Sequence, residues 1–378
     1  MPERAHDVAH MRRAIQMAQR GSRGANPLVG AVLVGDDGAV LAHGNHLGAG
    51  HLHAERDVLI RTARDHSDSD LSGATLYSSL EPCRHHGRQP PCTEAILDSG
   101  VGRVVYGAED PTASASGGGD VLAAAGLQVE AGVMAEECRG LNHRWALAQR
   151  QRRPFVTVHL AQSLDGRIAA ADGTSQWITS VASREHTHRI RGRIDAILVG
   201  TNTAEVDDPR LTARSSGGAL AARQPLRCVM GRRRLPAEAR LRQGRVEGEG
   251  WLQLRTNDPL AALQQLGGVI HEGHLVRHVL VEGGSRVLAA FFAHDLVDEI
   301  FAYQAPLILG AGPSSVGDIG VGTLADAPRY VHDPAGGGAV QVFDDDVCVH
   351  LRPSAGQAEA PEPTSAETFT ADQADRSV

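Results

Sequence analysis

Apolar positions change period from one stretch of the chain to the next. Between residues 7 and 20, Val8, Met11, Ile15 and Ala18 recur at three- and four-residue steps, the spacing of one face of an amphipathic helix. Gly21 and Gly24 end that pattern. Residues 31–34 and 39–42 are short apolar runs flanking Asp36-Asp37-Gly38, which predicts two strands joined by a turn. A helix is predicted from Arg56 to about Asp65, a strand over 74–80, and another helix opening at Pro91-Cys92. Strands over 104–107 and 127–129 follow, then a helix over 136–148. Gly117-Gly118-Gly119 predicts a flexible loop between them.

A basic connector, residues 149–153, separates this part from a second pattern. There a strand is predicted over 154–158, a helix over 183–193, and apolar strands over 196–200, 226–230 and 278–281. The last runs into Glu282-Gly283-Gly284-Ser285, with a helix from about Arg286. A glycine pair at a strand-to-helix turn lets backbone approach a ligand, and a helix N-terminus favours phosphate. Residues 354–378 are rich in Ala, Glu, Pro, Thr and Ser, and are expected to be a disordered tail.

Composition narrows the class. The 378 residues suffice for about two domains, and 42% are hydrophobic but only 3% aromatic, so the cores rest on Val, Leu, Ile and Ala. The net charge of -8 argues against nucleic acid as a partner. Five cysteines form no disulfide framework and suit a reducing compartment. With no apolar run of transmembrane length, no membrane is expected as a partner, and a soluble cytoplasmic protein is.

The chemistry concentrates between His53 and Cys92. His53, Cys83 and Cys92 can supply three ligands to a tetrahedral zinc, leaving a fourth position open, as a catalytic zinc requires. Glu55, two residues after the histidine, can move protons without binding the metal. His53 and Glu55 fall at one helix start and Cys92 at another, where the positive helix end favours a thiolate. Each fragment alone is commonplace, since a buried cysteine is more often an inert small hydrophobe. His85 and His86 lie in the loop between the cysteines, either simply exposed or touching substrate.

These motifs resemble the bacterial bifunctional riboflavin-biosynthesis deaminase-reductases. The resemblance is carried by the run from Asn26-Pro27-Leu28-Val29-Gly30 to Val32, by His53-Ala54-Glu55, and by Leu80 to Cys92 with eight residues between the two cysteines. Most zinc deaminases of bases have a shorter Cys-x-x-Cys spacing. The resemblance implies a cytidine-deaminase-like three-layer α/β/α domain over residues 1–148, a linker over 149–153, and a dihydrofolate-reductase-like α/β domain over 154–353. It implies zinc-dependent deamination of a diamino-ribosylamino-pyrimidinone 5′-phosphate, then NADPH-dependent reduction of the ribosyl group to ribityl. Asn26 corresponds to a substrate-contacting asparagine.

In the second half the resemblance implies NADPH contacts at Ala161, Trp177, Thr203, Asp207, Gly284, Ser285 and Arg286. Substrate contacts are implied at Ser175, Arg191, Leu211, Arg214 and Glu282, the arginines suiting a 5′-phosphate. The family usually has lysine where this chain has His159. Arg232-Arg233-Arg234 is read as an exposed basic turn, with the cofactor's 2′-phosphate as the alternative. A small phosphorylated pyrimidine is the expected partner, within a homo-oligomer (dimer or tetramer). Three other readings remain open: an RNA-binding or RNA-editing zinc protein, a scaffold with structural zinc, and a deaminase whose reductase half is weak or altered.

Overall fold

The computed structural model describes residues 2–21, 26–48, 51–67, 69–87, 89–243, 250–333 and 338–354. The expected tail, from residue 355 on, lies outside the described residues.

The first half runs α1 (Pro2–Ala18), β1 (Gly30–Val34), β2 (Val40–Asn45), α2 (Ala54–Asp65), β3 (Thr75–Leu80), α3 (Cys92–Ser99), β4 (Arg103–Ala108), α4 (Gly118–Ala124), β5 (Gln128–Ala131) and α5 (Ala135–Gln151). Its sheet has the order β2-β1-β3-β4-β5. β1 is antiparallel to β2 and β3, whereas β3, β4 and β5 are parallel. Helices α1 and α5 cover one face and α2 and α3 the other, giving the expected three layers. The core is aliphatic, with Val32, Leu33, Leu76, Ile96 and Leu122 fully buried. Close packing dictates Gly30, because a Cβ there would lie 2.1 Å from the Ala14 carbonyl oxygen of α1.

Two expectations change. The glycine triplet is not a flexible loop: Gly117 takes φ 86 as the N-cap of α4, and Gly118 and Gly119 begin the helix and are buried. A Cβ on Gly118 would lie 1.8 Å from the Pro82 carbonyl oxygen. The connector over 149–153 is also largely helical, since α5 continues to Gln151 and stops at Arg152, whose φ is 52.

The second half runs β6 (Phe155–Ser163), α6 (Val181–Arg191), β7 (Ala196–Gly200), α7 (Thr201–Val206), β8 (Leu226–Met230), β9 (Trp251–Leu254), α8 (Pro259–Gly267), a small hairpin of β10 (Ile270–His271) and β11 (His274–Leu275), β12 (His278–Val281), α9 (Ser285–Ala293), β13 (Glu299–Ala305), β14 (Tyr330–His332), β15 (Val340–Phe343) and β16 (Asp346–Pro353). The large sheet has the order β14-β16-β13-β6-β12-β7-β8-β9, with β15 also on β16. The six strands from β13 to β9 are parallel, and β14, β15 and β16 extend the sheet antiparallel. Strand β7 explains the continuous apolar runs: Ala196 and Leu198 enter one core, Ile197 and Val199 another. Strands buried on both faces need apolar residues at successive positions.

Candidate active sites

His53 is the N-cap of α2, with φ -67 and ψ 152, and Glu55 lies in that helix's first turn. Cys83 follows β3, and Cys92 opens α3 after Pro91. His53 Nδ1 lies 3.5 Å from Cys83 Sγ and 3.3 Å from Cys92 Sγ. Zinc–ligand bonds at a tetrahedral angle would put nitrogen and sulfur about 3.6 Å apart, so the three donors fit zinc. All three ligand atoms lie within 4.8 Å of one another. The Cys83 thiol is held down at about 4 by a hydrogen bond from Cys92, against burial, with help from His53. That same bond and burial push the Cys92 thiol well up. The hydrogen bond to Cys83 raises His53, although burial opposes it. This soft sulfur and imidazole set favours zinc over oxygen-seeking ions.

Glu55 is buried, accepts a 3.0 Å hydrogen bond from Ser78 Oγ, and has Oε2 3.6 Å from Cys92 Sγ. Burial pushes its carboxyl up, His53 opposes this, and Cys83 adds to it. A carboxyl so placed can take and return a proton. The neighbouring Glu81 is structural: its carboxylate accepts from the backbone N–H groups of Asp110, Gly117 and Gly119. It thereby ties the Cys83 turn to the start of α4.

These residues open on a cavity of about 280 Å³ lined also by Asn26, His46, His85, Trp145 and Gln149. Asn26 Nδ2 lies 2.8 Å from His46 Nε2, and His46 Nδ1 lies 2.9 Å from the Leu52 carbonyl oxygen. Of the loop histidines, His85 faces the cavity while His86 pairs with Glu94 at 3.2 Å on the surface. His46, Ser78, Trp145 and Gln149 were not among the expected site residues. Trp145 and Gln149 sit on α5, some fifty residues beyond the motif, and only the fold brings them there.

The second cavity, of about 600 Å³, contains Ala161, Ser175, Trp177, Arg191, Thr203, Asp207, Leu211, Arg214 and Glu282 in its lining. Nine of the expected reductase residues are thus brought together. Gly284, Ser285 and Arg286 are not in the lining but stand beside it, at the start of α9: a Cβ on Gly284 would lie 3.2 Å from Thr203 Oγ1. A Cβ on Gly283 would lie 2.7 Å from Val287, so bare backbone forms this turn. A glycine turn leading into a helix N-terminus, at the ends of parallel strands, fits the phosphates of a dinucleotide.

The net acidity of the chain does not extend into this cavity, which Arg184, Arg210 and Arg240 also line. Arg191 grips Glu282 with both fork nitrogens, Nε to Oε1 at 2.8 Å and Nη2 to Oε2 at 2.5 Å. Burial would raise Glu282, but the Arg191 charge and hydrogen bonds hold it below the usual range. The Arg191 fork is therefore already filled by a carboxylate, which reduces what it can offer a phosphate. Arg184 stacks over Trp177 with its guanidinium carbon 4.5 Å from the ring centre. His159 contacts the Thr187 hydroxyl at 2.9 Å, and burial pushes its imidazole below the ordinary value. Asp208 and Leu211 flank the Pro209 turn with φ of 40 and 50. Such left-handed backbone is uncommon outside glycine and clusters at binding sites. Arg232, Arg233 and Arg234 are exposed, and Arg233 pairs with Glu205 at 2.9 Å.

A family model for the cytidine and deoxycytidylate deaminase zinc-binding region matches residues 4–108, and one for the RibD C-terminal domain matches residues 154–331. The chain is 41% identical over 315 residues to the riboflavin biosynthesis protein RibD of Mycobacterium tuberculosis (strain ATCC 25618 / H37Rv), covering 83% of this chain and 88% of that one. It is 35% identical over 375 residues to the RibD of Escherichia coli (strain K12), covering 91% and 99%. The solved diaminohydroxyphosphoribosylaminopyrimidine deaminase/5-amino-6-(5-phosphoribosylamino)uracil reductase of Thermotoga maritima is similar with a TM-score of 0.79 at 31% identity, covering 93% of this chain and all of that one. Among the described residues no helix is long and apolar enough to cross a membrane.

Proposed function

Because the chain belongs to the RibD family of bifunctional riboflavin-pathway enzymes, with a zinc deaminase half and an NADPH-dependent reductase half, we propose the following assignment of substrate and residues. Residues 1–148 deaminate a 2,5-diamino-6-ribosylamino-pyrimidinone 5′-phosphate, residues 149–153 connect, and residues 154–353 reduce the product's ribosyl group to ribityl. The pairing of Glu55 with the His53, Cys83 and Cys92 donor set carries this reading.

His53, Cys83 and Cys92 hold zinc, whose Lewis acidity brings water toward ionisation at neutral pH. Glu55 accepts the proton of the attacking water, then delivers protons to the ring nitrogen and the departing ammonia. Ser78 fixes the carboxylate that does this. Asn26, which lines the same cavity, contacts the pyrimidine.

In the second half NADPH supplies a hydride. Ala161, Trp177, Thr203, Asp207 and the turn from Gly284 through Ser285 to Arg286 hold and orient it. Ser175, Leu211, Arg214 and the Arg191–Glu282 pair hold the phosphorylated sugar. The arginine-rich lining attracts anionic ligands and raises their local concentration. The family resemblance further supports a cytoplasmic homo-oligomer, dimer or tetramer, which light scattering would test.

The experiment is incubation of the zinc-loaded chain with the diamino-pyrimidinone phosphate, with and without NADPH. Ammonia is expected in both, and the ribityl product only with NADPH. Ammonia without any ribityl product would confine the reading to the first half, and neither product would overturn it.

A further inference from the structure

The hydrogen-bond chain from Asn26 through His46 to Leu52 has only one consistent polarity. A carbonyl oxygen can only accept, so His46 Nδ1, 2.9 Å from the Leu52 oxygen, carries a proton. Neither ring nitrogen meets a carboxylate, and the residue is 4% exposed. The Asn26 amide nitrogen, 2.8 Å from Nε2, can only donate, so Nε2 presents its lone pair. Asn26 turns its amide NH₂ to His46, and its carbonyl oxygen faces elsewhere. Asn26 lines the deaminase cavity, and its Oδ1 has no partner among the described residues.

We infer that His46 is a positioning residue that locks Asn26 with its oxygen toward the cavity, so that Asn26 recognises a hydrogen-bond donor on the pyrimidine. The donor would be a ring N–H or an exocyclic amino group. A ring presenting a bare nitrogen or a carbonyl at that edge would set acceptor against acceptor. The inference rests on the deaminase reading of this cavity and adds a rule of substrate polarity to it. The Leu52 carbonyl sets that polarity from one residue before the His53 ligand, so the loop carrying the metal ligand also orients the substrate contact.

The test uses the full zinc-loaded chain and ammonia release from the diamino-pyrimidinone phosphate. His46→Leu and Asn26→Leu should each raise KM about tenfold, the worth of one neutral hydrogen bond, with kcat within about twofold. The double variant should be no worse than the poorer single one, because both remove the same contact. Zinc content, and NADPH oxidation on already deaminated substrate, check that the variants are folded. Independently of turnover, ¹⁵N NMR of histidine-labelled enzyme should show the signal lost in His46→Leu to be the Nδ1–H tautomer. An Nε2–H tautomer or a doubly protonated ring would overturn the inference, as would single effects that multiply. No ammonia from the wild-type chain would sink the deaminase reading and the inference with it; ammonia with multiplying effects would sink the inference alone.

Discussion

Arg144, on the helix that walls the deaminase cavity, is ion-paired with Glu299 at the start of β13 in the other sheet. Its Nε lies 3.2 Å from Glu299 Oε2, and its Nη2 bonds the other carboxylate oxygen. Glu299 is 1% exposed and also accepts from Thr157 Oγ1 at 2.6 Å, with His350 Nε2 at 2.8 Å. The next residue along the helix, Trp145, lines the deaminase cavity. One turn of α5 thus serves both halves.

Arg144→Leu should therefore destabilise the protein by about 3–5 kcal/mol, the usual cost of leaving one member of a buried pair alone. It should also raise KM for deamination, because α5 loses its anchor beside Trp145. Urea unfolding and ammonia release would measure the two effects. A variant with wild-type stability and wild-type KM would refute the anchoring role.

The same pair sets an acid limit. Burial would raise Glu299, but the Arg144 charge and the hydrogen bonds from His350 and Arg144 hold its carboxyl well below 4.5. A carboxyl lowered on folding contributes stability that is fully present above its unfolded value and lost as pH falls through its folded value. The stability gap between wild type and Glu299→Gln should be constant near neutral pH. It should narrow once pH drops below about 4.5, the ordinary carboxyl value. Urea midpoints of both proteins across that range would check it, and a gap that widened in acid would contradict the assignment.

The clustering of His53, Cys83 and Cys92 was legible in the sequence because all three sit at the ends of regular elements. His53 and Cys92 each begin a helix, and an apolar run predicts the strand that delivers Cys83. Much of the reductase cavity was legible only by family resemblance, since Ala161 or Leu211 carries no chemical signal of its own. Neither route led to Trp145, Gln149 or His46. Residues 149–153 read as a basic linker because charge and amide side chains mask the last turn of α5, which tertiary packing sustains. The glycine triplet read as loose because sequence does not show what presses on it, here Pro82 and Tyr106. Strands β14 and β15 have only three and four residues, and β16 buries the face that carries Asp346, Cys348 and His350, so their pairing follows from the sheet edge they join.

Glu55→Gln should retain zinc, because Glu55 is not one of the three ligand residues. It keeps the size of the side chain and its bond from Ser78 while removing the proton acceptor. Ammonia release should drop by about 10²–10⁴-fold, the range for general acid–base catalysis. Metal analysis with an ammonia assay would decide it. Full activity would show that another group moves the proton.

The Arg191–Glu282 pair should matter to one half alone, since both residues face the reductase cavity and neither lines the other. Arg191→Leu would leave the Glu282 carboxylate without its two fork hydrogen bonds. Misplacing Glu282 should cost the substrate one hydrogen bond to a charged group, worth about 1.5–3 kcal/mol, or roughly 10–100-fold in kcat/KM for reduction. Glu282→Gln keeps the shape and part of the bonding but no longer neutralises Arg191, and should fall between wild type and Arg191→Leu. NADPH oxidation on deaminated substrate gives the ratio, and ammonia release should stay unchanged in both variants. A parallel loss of both activities would mean that the pair supports the fold of the whole chain, whereas a loss confined to NADPH oxidation would assign it to the sugar-reducing site.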